Sequence, residues 1–336
     1  MGGMSGWRPR RAARPSVAPL VLGCAVLLDL GLVLVGIVGL AYGGDLLVAN
    51  ASRLARAFGL SPMVIGLTVV AFGTSAPELA ASLAAALRGA PEIALANVIG
   101  SNIANVGLIL GASALMWPLA TTWGFVRREV AFMIAATLLT GALLLDGLLG
   151  RLDAAVLVLG LLVFLLVSFR GDGGAPRSRR KPGAGAARAP RWRPALLALV
   201  GVGLLALAAQ ALVTGAVHLA EAWGVSQRVI GLTMVAVGTS LPELASSVAA
   251  ALRRESDIIL GNIVGSNVFN LLSVLGIAGL IHPLQADVAA IRLDLLAMLL
   301  AAVVVAPMAV TGWRVGRREG ALLLTAYVAY VVLVLA

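Results

Sequence analysis

The chain has 336 residues, of which 60% are hydrophobic and only 12% charged, and its mean hydropathy is +1.02. Soluble domains carry about 25% charged residues, so this composition excludes one and predicts an all-α polytopic membrane protein. The formal net charge of +10 brings nucleic acid to mind, but where the basic residues fall argues against such a partner.

A membrane-spanning helix needs about 20 mostly apolar residues. Ten such stretches are predicted, near residues 17–42, 62–87, 93–117, 129–149, 152–169, 194–222, 229–252, 258–281, 288–311 and 319–336. They divide the chain into an N-terminal tail (1–16), a first five-helix unit (17–169), a basic Gly- and Pro-rich linker (170–193) and a second five-helix unit (194–336). The single cysteine, Cys24 in the first stretch, can form no intrachain disulfide.

Threading the ten stretches back and forth sorts the 25 Lys and Arg unequally. Seventeen fall on one side, including Arg53, Arg56, Arg127, Arg128, the linker, Arg253 and Arg254; eight fall on the other, four of them in the tail. The positive-inside rule puts the richer side in the cytoplasm and both termini outside. The tail's arginines resemble the start of a signal peptide, but the apolar stretch that follows is too long for one.

The two five-helix units share a duplication. VIGLTVVAFGTSAPEL (Val64 to Leu79) recurs as VIGLTMVAVGTSLPEL (Val229 to Leu244), and ANVIGSNIAN (Ala96 to Asn105) as GNIVGSNVFN (Gly261 to Asn270). The offset is 165 residues, and 30 positions between Ser61 and Gly111 are identical to their counterparts. Five spans fit in that offset, and five is odd, so the second copy is expected to enter the membrane from the opposite side. Inverted repeats of this kind place a substrate site at the midplane, where equivalent elements meet.

Each copy puts a glutamate, Glu78 or Glu243, inside an apolar segment. A carboxylate at that depth costs roughly 2.5–3.5 kcal/mol on insertion scales, which marks both as functional candidates over the alternative of a structural hydrogen bond. Pro77 and Pro242 lack an N–H and release the carbonyls of Gly73 and Gly238, so both spans are expected to break near their centres. Thr74, Ser75 and Glu78 share one helical face, as do Thr239, Ser240 and Glu243; on the next span Asn97, Ser101 and Asn105 form an i, i+4 stripe repeated by Asn262, Ser266 and Asn270. Carboxylate, amide, hydroxyl and carbonyl oxygens without His or Cys suit sodium, potassium or calcium and not zinc or copper. Asn97, Asn102, Asn262 and Asn267 read more simply as interhelical hydrogen-bonding residues, and His218 and His282 as interfacial or structural ones. Asp29 and Asp45 in the first helix stay open between lining a pathway and packing, whereas Asp146, Asp153, Asp287 and Asp294 near span ends are expected to be solvated.

GTSAPE followed by GSNIAN, repeated as GTSLPE and GSNVFN, resembles the paired repeats of the sodium/calcium exchanger family, and the likeness covers both halves. The resemblance implies ten helices in two inverted halves, with cation positions between the second, third, seventh and eighth. Carried over residue by residue, it implies a site of Thr74, Ser75, Glu78, Ser101, Asn105, Thr239, Ser240, Glu243, Ser266 and Asn270, with the backbone carbonyls of Ala71 and Ala236. It further implies that both glutamates bind calcium, that sodium competes for overlapping positions, and that the glycine-rich first and sixth helices slide during access switching. Some relatives carry Asp where this chain has Asn270, which argues against potassium dependence, and the long regulatory domain of animal exchangers is absent. The expected function is a secondary antiporter exchanging sodium for calcium across the plasma (inner) membrane, with calcium, sodium and membrane lipid as partners, no nucleic acid, no cofactor, and a chain compatible with a monomer. A proton-coupled exchanger is the alternative within transport, because a desolvated glutamate can accept a proton in place of a sodium ion. An intramembrane enzyme using Glu78 and Glu243 as an acid/base pair is the remaining reading, and it lacks a nucleophile or a metal-ligating His pair.

Overall fold

The computed structural model describes residues 18–171, 192–225 and 236–335. The tail 1–16, most of the linker 170–193 and the start of the predicted seventh span lie outside them. The fold is helical. Helix α1 is Ala18–Phe58; a second span is split into α2 (Pro62–Thr74) and α3 (Ala76–Leu87); α4 is Pro91–Met116, α5 covers residues 123–143, and α6 is Arg151–Gly171. Then follow α7 (Trp192–Ala222), α8 (Ala236–Thr239), α9 (Leu241–Leu252), α10 (Ser256–Ile281), α11 (Val288–Val310) and α12 (Arg317–Leu335). Among the described residues six helices are long and apolar enough to cross a membrane, or seven if the bent α2–α3 pair is one span.

Local sequence explains most boundaries. Ser61 caps α2 by accepting from the Val64 N–H at 3.2 Å with Pro62 at the first position, and Asp287 caps α11 by accepting from the Ala289 and Ala290 N–H groups. Two boundaries differ from the expectation. The first helix continues past residue 42 to Phe58, because Asn50, Ser52 and Arg53 interrupt the hydropathy but not the helix: Asn50 donates back to the Leu46 carbonyl at 2.7 Å. The fourth helix starts earlier and ends at Leu143, since Leu148 and Leu149 form a short strand instead.

The duplication is visible in the elements. Residues 91–116 and 256–281 form α4 and α10 at the 165-residue offset, and both change to wider π turns at Asn105–Leu110 and Asn270–Val274. Two antiparallel strand pairs repeat the relation: β1 (Leu119–Ala120) pairs β4 (Arg314–Val315), and β2 (Leu148–Leu149) pairs β3 (Leu284–Gln285). Each pair joins the first half to the second.

Helices α4 and α10 are the centre of the molecule: 72% and 89% of their most apolar stretches are buried, against 22–28% for α1, α6, α7 and α11. Close approach at glycine makes this possible. A methyl on Gly265 of α10 would come within 2.6 Å of the Leu67 carbonyl oxygen and 2.7 Å of the Ala71 side chain, so α2 and α10 meet backbone to backbone. Helices α1 and α7 pack on each other in the same way; methyls on Gly36 and Gly215 would lie 2.5 Å from Leu212 and from the Asp29 carbonyl oxygen.

Candidate functional site

The second span breaks at Ser75, whose φ and ψ of −80° and 2° turn α3 by 43° from α2. Ser240 has nearly the same conformation, −86° and 4°, between α8 and α9. Pro77 and Pro242 stand at the second position of the helix that follows each break, where a missing N–H costs nothing. Glu78 and Glu243 are therefore in the first turn of α3 and α9, where the positive end of the helix dipole favours a carboxylate. Both side chains are fully enclosed, at 0% and 1% exposure.

The two breaks face each other and exchange hydrogen bonds. Ser75 Oγ donates to Glu243 Oε1 at 3.0 Å, and Ser240 Oγ donates to Glu78 Oε1 at 3.3 Å. Thr74 Oγ1 donates to Asn262 Oδ1 and Thr239 Oγ1 to Asn97 Oδ1, each at 3.2 Å. Every one of these bonds has its partner at the 165-residue offset, so a pseudo-twofold relation runs between them. Ser101 lies beside Ser240, oxygen to oxygen at 3.2 Å. Asn105 Nδ2 reaches Asn267 Oδ1 at 3.3 Å, and the Asn267 amide in turn donates to Met133 Sδ.

Several oxygens in this cluster have no hydrogen-bond partner among the described residues: Glu78 Oε2, Glu243 Oε2, Asn105 Oδ1 and Ser266 Oγ, together with both amide atoms of Asn270. All are buried. An ionised carboxylate oxygen so placed costs several kcal/mol unless a charge offsets it, and a cation with oxygen ligands fits the need. No group of three or more His, Cys, Asp and Glu that could hold a metal occurs among the described residues, so such a cation would rest on two carboxylates and neutral oxygens.

Eight of the ten side chains expected from the sequence, Thr74, Ser75, Glu78, Ser101, Asn105, Thr239, Ser240 and Glu243, take part in hydrogen bonds between the two halves, and Ser266 and Asn270 are buried on α10. The two expected carbonyls differ. That of Ala71 accepts from the Ser75 N–H at 2.9 Å and from Thr74 Oγ1 at 3.3 Å, which uses both its lone pairs. The Ser240 N–H instead bonds Val237 at 3.1 Å, which leaves Ala236 outside that bond. Asn97 and Asn262 act as interhelical hydrogen-bonding residues: Asn97 Nδ2 donates to Ser82 at 2.9 Å and Asn262 Nδ2 to Ser246 and Ser247 at 3.2 Å, while their carbonyl oxygens hold the two threonines. Their indirect role at the breaks was readable only from their matched places in the repeat. His218 is paired with Asp29 at 2.8 Å, Asp45 with Arg253 at 2.6 Å, and His282 rests on the Pro283 carbonyl. Asp294, expected to be solvated, is half-buried and accepts from the Tyr330 hydroxyl at 2.8 Å.

A helical chain with several membrane-length apolar helices and a buried oxygen cluster between two copies of one motif defines the class, a multi-pass membrane protein with a polar centre. The sodium/calcium exchanger protein family matches residues 28–170 and again residues 194–336, and the chain belongs to that family. It is 36% identical over 319 residues to the inner membrane protein YrbG of Escherichia coli, covering 91% of this chain and 96% of the relative. It is 32% identical over 338 residues to the sodium/calcium exchanger MaX1 of Methanosarcina acetivorans, covering 90% and 97%. A solved structure of the sodium-calcium exchanger NCX_Mj, soaked without sodium or calcium, superposes with a TM-score of 0.81 at 31% identity, covering 92% of this chain and 99% of that one.

Proposed function

We propose that this protein is a secondary antiporter that exchanges sodium for calcium across the plasma (inner) membrane by alternating access, as the names of its relatives MaX1 and NCX_Mj suggest. The observation that carries the reading is the set of buried oxygens on Glu78, Glu243, Asn105, Ser266 and Asn270 that have no partner among the described residues, in a cluster bridged by reciprocal bonds between the two motif copies. Ser75, Ser240, Thr74, Thr239 and Ser101 complete the site, with the Ala236 carbonyl at its edge and the Ala71 carbonyl joining only by giving up its bond from Thr74 Oγ1. The architecture is ten spans in two inverted halves, 17–169 and 194–336, joined by the cytoplasmic linker 170–193, with the tail 1–16 and the C-terminus outside.

Two glutamates supply about two negative charges, which one Ca²⁺ balances. The three-sodium stoichiometry that the family resemblance implies leaves one excess positive charge, so each cycle moves net charge. Exchange follows because one buried cluster cannot hold both loads at once: sodium ions and calcium compete for the same carboxylates, and an empty pair of charges is too costly to cross the membrane unneutralised.

Calcium uptake into proteoliposomes, driven in turn by an outward sodium gradient and by an outward proton gradient, tests the reading. Sodium alone is expected to drive uptake. Uptake driven by protons and indifferent to sodium would replace it with the proton-coupled alternative.

A further inference from the structure

Helices α1 and α7 are joined into one body. Their glycines interlock, with a methyl on Gly201 reaching within 2.8 Å of the Leu47 amide nitrogen, and the Asp29–His218 pair at 2.8 Å ties them further. Among the described residues, three contacts fasten this body to the rest of the bundle on the C-terminal half of α1. At the C-terminal end of α1, a methyl on Gly44 would come within 2.7 Å of the Ala245 carbonyl oxygen on α9. Next to it, Arg253 holds Asp45 through Nε at 2.7 Å and Nη2 at 2.6 Å, and Ser52 Oγ donates to Glu255 Oε1 at 3.2 Å.

The repeat allows a direct comparison with the other end. At the 165-residue offset Gly44 becomes Ala209, the Asp45–Arg253 pair becomes Gln210 and Arg88, and the Ser52–Glu255 pair becomes Val217 and Ala90. None of the three contacts survives the exchange: Ala209 carries the methyl that Gly44 has no room for, Gln210 cannot form an ion pair with Arg88, and Val217 and Ala90 have no polar side chains. Gln210 donates to Thr214 of its own helix.

We infer that Asp45, Arg253, Ser52 and Glu255 form a one-ended latch that holds α1 and α7 closed against the turn between α9 and α10, so that a protein free of cations rests with this face shut and the opposite face open. The inference rests on the alternating-access reading above, and the positive-inside count assigns the latched face to the cytoplasm. The pair is solvent-exposed, with 57% and 40% of the Asp45 and Arg253 side chains accessible, so it tilts the balance between two packed states and does not lock one.

The test uses full-length protein with Cys24→Ser and one reporter, Ala249→Cys, which lies one turn beyond Ala245 on α9 and is buried beneath the latch. A membrane-impermeant maleimide is applied to inside-out and right-side-out vesicles in buffer free of sodium and calcium. Relative to the reporter protein, Arg253→Ala is expected to speed labelling from the cytoplasmic face about two- to fivefold, the range for losing one exposed ion pair. The charge exchange Asp45→Arg with Arg253→Asp is expected to restore the slow rate, which a merely structural role for either residue would not do. Gln210→Asp, which offers Arg88 a partner at the other end, is expected to speed labelling as well. Equal rates in the reporter protein and Arg253→Ala, or an acceleration that the charge exchange fails to reverse, would overturn the latch. Labelling needs no coupling ion, so loss of sodium-driven flux with this labelling pattern intact would remove the exchange reading alone.

Discussion

At the scale of single residues, the cluster depends on charge at two positions. Glu78→Gln and Glu243→Gln keep the shape and the serine hydrogen bond yet remove one of two charges that neutralise a divalent ion. Each is expected to weaken calcium transport by roughly 100-fold or more, about 2.7 kcal/mol, while leaving insertion and folding intact, as measured by isotope uptake beside size-exclusion profiles. Wild-type uptake in either variant would take the carboxylates out of the site. Asn270 offers a sharper test, because both of its amide atoms are buried without a partner among the described residues. A residue of no function there is expected to improve stability when truncated, since an unsatisfied amide is costly. Asn270→Ala is expected to raise the melting temperature of the cation-free protein in the same way and, in addition, to lower cation affinity, which truncating a residue of no function would not do. The burial of these side chains in apolar spans was legible in the sequence, because the duplicated motif repeats each of them at the 165-residue offset. Which atoms were spoken for was not: the Ala71 carbonyl is engaged by the Ser75 N–H and the Thr74 hydroxyl where the helix ends, and Asn97 is engaged by Thr239 from the other half.

At the scale of elements, the breaks at Ser75 and Ser240 and the contact of α2 with α10 set the geometry. Gly265 permits that contact. Gly265→Ala places a methyl where backbone oxygen stands 2.6 Å away, and overpacking of this kind costs about 1–3 kcal/mol. It is expected to lower thermal stability in detergent and to weaken calcium binding together, because α2 leads directly into Ser75 and Glu78. Gly31→Ala, on α1 with open space around it among the described residues, is expected to leave both unchanged or slightly improve stability. Equal behaviour of the two variants would contradict the close packing. The prolines and the duplicated motif predicted the breaks correctly. The extension of α1 to Phe58 escaped hydropathy, because a helix that leaves the apolar layer keeps its backbone bonds while its side chains turn polar. The π turns at Asn105 and Asn270 carry no compositional signal that the sequence reading could use.

At the scale of the whole molecule, the duplication was the most informative feature of the chain, and the family match recovers it as two separate segments. The reciprocal bonds and the paired strands β1–β4 and β2–β3 are what a repeated unit produces when its copies meet face to face. The departure from symmetry at Asp45, which aligns with Gln210, was visible in the sequence; its partner on the α9–α10 turn, and that of Ser52, were not. A reporter fused after Ala336 is expected outside and one inserted near Gly183 inside; both on one side would break the inverted arrangement, and the reverse labelling would exchange the two access faces.

The central claim, that two glutamates shared by sodium and calcium couple their movements, is tested most directly by voltage. Proteoliposomes loaded with sodium take up labelled calcium while the membrane potential is clamped at two values, with and without a proton conductor. Each excess positive charge leaving with sodium gains about 2.3 kcal/mol per 100 mV of interior-positive potential. Uptake is therefore expected to rise as the interior becomes more positive, to ignore the proton conductor, and to vanish in the Glu78→Gln, Glu243→Gln double variant. Uptake that is indifferent to voltage, or that survives in the double variant, would contradict the account.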